Sequence, residues 1–331
     1  TDGLHERGRG NLCSRRRKVF KMGMHPRWVR SDLVTSTTQR TIDRPFLVKP
    51  DPVLRNLIGA AAARAQKKFP VLIYWLEFNI NHEQSGIAPV DDTPEAATQL
   101  IRFKQLFHRL LAEGINRHLG REGGVFSSGS RDVHCADNES VEDRYFYALL
   151  NPVKDGLCER IAHWGGYSTY AALGEGKRET YTYIDRTAWN KQGGKLSKKP
   201  LKAFEKTIQL RLTPLPGWEG LTASQRQTRI RRRVRELEAQ YREEREREGR
   251  AAMTATRMEK VDPRDRPKLV AEKTRKPLCH AASVAARDAY EAEYGEFRQA
   301  HRQASLRFLS GDFGAVFPGG SFRPPLIACA A

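Results

Sequence analysis

Apolar positions follow one set of rhythms up to about residue 170 and a different one beyond it. Residues 33–39 (LVTSTTQ) are rich in β-branched side chains, which fit a half-buried pleated surface and predict a strand. Asp51 before Pro52 marks a helix start, because the carboxylate can accept from free N–H groups and proline pre-sets the first helical residue. Leu54, Leu57, Ile58 and Ala61 then recur on one face and predict a helix over 52–67. Residues 69–80 (FPVLIYWLEFNI) read as a buried strand, and 82–88 as a short, weak partner strand after a tight turn. Thr93-Pro94-Glu95 opens a second helix, striped by Leu100, Phe103, Leu106, Phe107, Leu110 and Leu111 and ended by Gly120, Gly123 and Gly124. Residues 125–135 read as loop and strand. A third helix over 140–150 is expected to close at Asn151-Pro152, since the residue before proline avoids helical backbone. This order predicts an α+β fold, a mostly antiparallel sheet with helices packed on it.

Beyond residue 170 charge dominates. Residues 176–211 hold ten Lys/Arg against three Asp/Glu, with strand-like pieces at 180–184 and 207–212. Residues 222–248 predict a charged helix whose thin stripe (Ile230, Val234, Leu237, Tyr241) can dock on one neighbour. Residues 260–276 read as a linker and 281–309 as a last amphipathic helix anchored by Tyr290, Tyr294, Phe297 and Phe308, before an extended end at 318–326. The organisation expected is a basic, disordered N-terminal arm over 1–30, a compact domain over 31–170, and a basic, largely helical extension over 171–331.

The 331 residues include 58 Lys/Arg and 39 Asp/Glu, a formal charge of +19, which makes a polyanion the first partner to consider. The longest apolar run, near 70–78, falls far short of the ~18 residues a membrane span needs, so no membrane partner is expected. No apolar leader opens the chain, and Met22 or Met24 offers a start. The cysteines (Cys13, Cys135, Cys158, Cys279, Cys329) lack CxxC spacing, which argues against a disulfide framework or zinc knuckle and suits a reducing cytoplasm. Gly120–Gly124 lacks the Lys-Ser/Thr ending of a phosphate loop, and no small-molecule cofactor is expected.

Two clusters carry candidate chemistry. His82 and Gln84 alternate along a strand, so they share a face and both can offer a lone pair to a cation; the plainer reading is a turn histidine bonded to backbone. Tyr147 and Asn151 lie four apart on one helix face, where a phenol can attack phosphorus beside an amide oxygen able to ligate a hard cation. The plainer reading of Tyr147 is a core aromatic within the apolar run Tyr145–Leu150.

With the order of elements, these residues make the chain similar to the single-strand DNA transposases of the tyrosine HUH-endonuclease class, most closely the REP-associated tyrosine transposase branch. The resemblance covers about 31–170. It rests on LVTSTTQR (33–40), RPFLVKPD (44–51), Asn81-His82, YALLNPVKDG (147–156) and WGGYST (164–169). It implies a ferredoxin/RRM-like HUH fold and single-stranded or hairpin DNA as partner, cleaved and rejoined in the bacterial cytosol. Tyr147 would be the nucleophile, forming a 5′-phosphotyrosine link and releasing a 3′-hydroxyl. His82, Gln84 and Asn151 would hold Mg²⁺ or Mn²⁺. Gln84 stands where the family has its second histidine, and Glu83 where it has an apolar residue; a bent strand would make Glu83 a substitute ligand. Arg40, Arg44, Lys49, Lys154, Lys198, Lys199, Arg231 and Arg232 are the expected nucleic-acid contacts. Two alternatives stay open: a catalytically weakened relative that only binds DNA hairpins, and an RNA-binding protein of similar outline.

Overall fold

The computed structural model of the chain describes residues 26–91, 93–177, 179–267 and 276–324. The basic run Arg15–Lys18, part of the expected linker over 260–276 and the end of the chain lie outside the described residues. The elements run β1 (Thr35–Arg40), α1 (Pro52–Lys68), β2 (Leu72–Phe78), β3 (His82–Ala88), α2 (Pro94–His118), β4 (Arg131–Cys135), α3 (Asn138–Leu149) and α4 (Asn151–Lys154). There follow α5 (Tyr170–Leu173), β5 (Thr180–Ile184), α6 (Arg186–Lys191), β6 (Glu205–Gln209), α7 (Ala223–Arg247), α8 (Ala255–Glu259), β7 (Cys279–His280) and α9 (Val284–Leu309). The fold is α+β as expected. A five-stranded sheet in the order β2-β3-β1-β4-β7 is antiparallel except for the last pair.

Local chemistry starts the helices where the sequence signals them. Asp51 accepts from Val53 N–H at 2.7 Å and Leu54 N–H at 3.0 Å, with Pro52 inside the first turn. Asp137 and Ser140 form a reciprocal capping box on α3. Asn151-Pro152 does not end the helical path. Pro152 sits in the first turn of α4, where its missing N–H has no intrahelical partner to lose. Leu150 N–H still donates to Phe146 at 3.0 Å, and its own carbonyl receives Lys154 N–H at 2.9 Å.

The sheet separates two apolar cores. On one face α1 and α2 pack over Ile73, Leu76, Phe78 and Ile87. On the other, α3 and α7 pack over Tyr74, Trp75 and Ala88. A register shift between Ile73 and Trp75 turns Tyr74 and Trp75 to the same side, and so lets β2 feed both cores. β3 is a central, fully buried strand and not the weak partner its composition suggests. Its polar residues are satisfied within the fold: Ser85 Oγ donates to Glu83 Oε1 at 2.7 Å, and His108 Nε2 meets Glu83 Oε2 at 2.6 Å. Gly86 is required because a Cβ there would come within 2.2 Å of the Trp75 ring.

The chain beyond 170 folds onto this body in four places. The β5–β6 hairpin lies on α1, where Asn56 exchanges hydrogen bonds with the backbone of Thr182 (2.8 and 2.9 Å). Ile230 and Val234 of α7 are buried in the α3-side core. Cys279-His280 extends the sheet as β7 beside β4. α9 stacks Tyr290, Tyr294 and Phe297 against Trp28, so the last residues of the expected disordered arm are packed. Among the described residues no helix is long and apolar enough to cross a membrane.

Candidate nucleic-acid cleavage site

The β1–β3 register places Arg40 opposite His82 and Thr38 opposite Gln84, so these four side chains share the α3 face. His82 is buried. Its Nδ1 lies 2.8 Å from Asn81 Oδ1 and its Nε2 lies 2.9 Å from Asn151 Nδ2. A neutral imidazole has one donor and one acceptor, so Nδ1–H donates to Asn81 and the Nε2 lone pair accepts from the Asn151 amide. Burial, helped by the Arg40 charge, pushes the His82 pKa down to about 3 and keeps the ring neutral.

Asn151 is carried on the first turn of α4, and Tyr147 stands four residues earlier on α3. Tyr147 is half-buried, and two cations cover its ring: the Arg144 guanidinium at 4.0 Å and the Lys154 ammonium at 5.1 Å from the centroid. Arg40 lies within electrostatic reach of both Tyr147 and His82. Its own pKa is lowered by partial desolvation and by neighbouring Arg44. Arg44 follows Asp43, and both adopt left-handed backbone (φ 63° and 58°), a strained conformation for non-glycine residues. Asn81 Nδ2 donates to the Arg44 carbonyl at 3.3 Å, tying that loop to the residue before His82.

The site thus gathers Tyr147, His82, Asn151, Arg40 and Lys154, with Gln84 alongside. Other expected contacts stand elsewhere. Lys49 Nζ donates to the Glu259 carbonyl at 2.8 Å. Lys198 and Lys199 lie in the β5–β6 unit on the α1 side. Arg231 and Arg232 are exposed on α7, with Arg232 3.9 Å from Glu236. Glu83 points to the opposite face and is held by His108 and Ser85, so it does not stand in for a ligand beside His82. Sequence reasoning missed Arg144, although its position three before Tyr147 on one helix carries the signal. It also missed Tyr241 of α7, which comes within electrostatic reach of Tyr147 through tertiary folding alone.

Two observations bear on a divalent cation. Gln84 Oε1 is buried with no hydrogen-bond partner, an acceptor that a cation would satisfy. The donor set is one imidazole nitrogen and two side-chain amides, right in type but wholly neutral. Among the described residues no group of three His, Cys, Asp or Glu is placed to hold a metal. The residues fit a weakly held ion.

No family model matches the chain, and no curated protein matches it. Among solved structures it is similar to a REP-associated tyrosine transposase bound to a REP hairpin. The identity is 15%, the TM-score 0.36, and the match covers 46% of this chain and 85% of that one.

Proposed function

We propose that the protein is a single-stranded DNA nicking and joining enzyme of the transposase type, acting on hairpin-containing DNA through Tyr147. The carrying observation is the half-buried phenol under Arg144 and Lys154, one helical turn from an asparagine bonded to His82. The Tyr147 Oη attacks a phosphodiester phosphorus and a P–O3′ bond breaks. The phenolic proton passes to solvent, and the departing 3′ oxygen takes a proton from water. The product is a 5′-phosphotyrosine link, whose energy permits rejoining by the reverse step. Arg40, Arg144 and Lys154 orient the phosphate and offset the charge gathering on its oxygens. His82, Gln84 and Asn151 would hold Mg²⁺ or Mn²⁺, which supplies Lewis-acid polarisation of the phosphate. Neutral His82 keeps its Nε2 lone pair on the site, and Asn81 fixes the ring through Nδ1.

A second reading is a hairpin-binding protein without cleavage. It is favoured by one fact: the Asn151 amide already occupies the His82 lone pair. Incubation with a single-stranded hairpin oligonucleotide and Mn²⁺, followed by a denaturing gel, separates the two. A covalent adduct that vanishes in Tyr147→Phe supports cleavage. Native-gel shifts without adduct in any metal support binding alone and overturn the enzyme.

A further inference from the structure

On the other side of the sheet a cavity of about 590 Å³ opens between β4, residues 26–28 and α9. The β1–β4 register pairs Thr35 with His134 and Thr37 with Asp132, and β1 pairs Gln39 with Glu83. His134 and Asp132 therefore face away from His82 and Tyr147. Trp28, Tyr290 and Tyr294 supply aromatic walls, and Arg27 and Lys276 are exposed at the rim. Neither of these two cations makes an ion pair among the described residues.

Arg27 and Lys276 share the lining with two carboxylates, Asp132 and Glu291. Lys104 is bound to Asp132 at 2.6 Å. Lys276 feels that same carboxylate and three other cations, Arg131, Arg27 and Lys104. His134 is neutral, its pKa pushed down to about 4 by burial and then by Arg30. Its Nδ1 meets Tyr290 Oη at 2.8 Å; no hydrogen bond among the described residues uses Nε2. The chemistry on offer is an aromatic wall, one ring nitrogen and two rim cations without ion pairs among the described residues, with Asp132 offset by Lys104 and Glu291 the one further acidic group in the lining. A nucleotide matches all three, and the volume lies within the ~300–1,000 Å³ of small-ligand sites.

Arg131 connects the two faces. It lies within electrostatic reach of Arg40 at the cleavage site and of Lys276 at the cavity. We propose that this cavity binds one unpaired nucleotide of the single-stranded flank of the DNA, with the strand passing over Arg40 and Arg131 around the end of the sheet. The base lies against Trp28, Tyr290 or Tyr294, and its phosphate meets Arg27 and Lys276. On this view the extension after residue 170, through α9, and the segment before β1 build a second reading site. The inference rests on nucleic acid being the partner, as proposed above, and not on cleavage.

The test uses the full chain and fluorescein-labelled hairpins with and without a single-stranded flank, by anisotropy at fixed salt. Removing both rim cations (Arg27→Ala with Lys276→Ala) should weaken the flanked hairpin about tenfold and the blunt hairpin less than twofold. Equal weakening of both, or of neither, overturns the proposal. On the unaltered protein, 5-bromodeoxyuridine placed through the flank should crosslink on irradiation to the peptide carrying Trp28 or that carrying Tyr290 and Tyr294. Crosslinks confined to other peptides overturn it. A mixture of the four deoxynucleoside monophosphates should reduce that crosslink; if inorganic phosphate does so equally, the base has no part and the nucleotide pocket is refuted. Absence of a Tyr147 adduct would sink the nicking activity and leave these readouts intact.

Discussion

His108→Ala should destabilise the protein through a carboxylate 25 residues away in sequence. The Glu83 side chain is 3% exposed, with Oε2 at 2.6 Å from His108 Nε2 and Oε1 receiving Ser85 Oγ at 2.7 Å. Removing the imidazole leaves one carboxylate oxygen buried without a donor. Leaving a buried polar group without its partner costs about 1–3 kcal/mol, and more for a charged group. Because Ser85 still serves the other oxygen, the expected loss is about 3 kcal/mol, part of it from ring contacts with Phe107 and Phe126 at 5.1 Å. Adding Glu83→Gln replaces the acid with a neutral amide that is cheaper to bury unpartnered, so the double variant should recover about 1–2 kcal/mol of that loss. Urea unfolding of the four proteins in the cycle measures both numbers. A His108→Ala loss below about 0.5 kcal/mol, or no recovery in the double variant, would refute the view that His108 satisfies a buried Glu83. Glu83→Gln alone should leave Tyr147 adduct formation unchanged.

Glu77 offers a pH test. Burial raises its pKa from 4.5 to about 8, and Thr169 donates to Oε1 from N (3.1 Å) and Oγ1 (2.5 Å). The folded state keeps this proton while the unfolded state releases it, so stability falls as pH rises from about 4.5 to 8. Glu77→Gln should flatten that decline, with a larger gain in urea midpoint at pH 9 than at pH 5; parallel pH profiles would contradict the assignment. Gly86→Ala should cost about 1–3 kcal/mol or prevent folding, because the Trp75 ring it would strike is fully buried; an unchanged melting temperature would show that β3 packs otherwise. Arg40→Ala should lower hairpin affinity and reduce the salt slope of binding by about 1, read from anisotropy across a salt series, with an unchanged slope placing Arg40 off the DNA path.

The elements and the local half of the candidate site were legible in the chain because they depend on neighbours in sequence. Asp51-Pro52 and the stripe of the second helix act within a turn or two. Tyr147 and Asn151 share a face because four residues make about one helical turn, and that pairing survives the break at Leu150 because proline is harmless in a first turn. Alternation likewise set His82 and Gln84 apart from Glu83.

Which faces meet was decided only in three dimensions. Periodicity tells which side of an element is apolar, not which partner covers it. Nothing in residues 82–88 announces that β3 lies inside the sheet; its polar atoms are tolerable because His108 from α2 reaches across to Glu83, and Gly86 makes room for Trp75. Strand register alone brought Arg40 opposite His82, so that a cation from β1 keeps company with the tyrosine of α3. The extension after residue 170 looked like a charged appendage because its apolar residues are sparse. Folding gathers those few anchors against Trp28, α1 and the α3 core, and burial depends on what surrounds a side chain, which composition cannot convey.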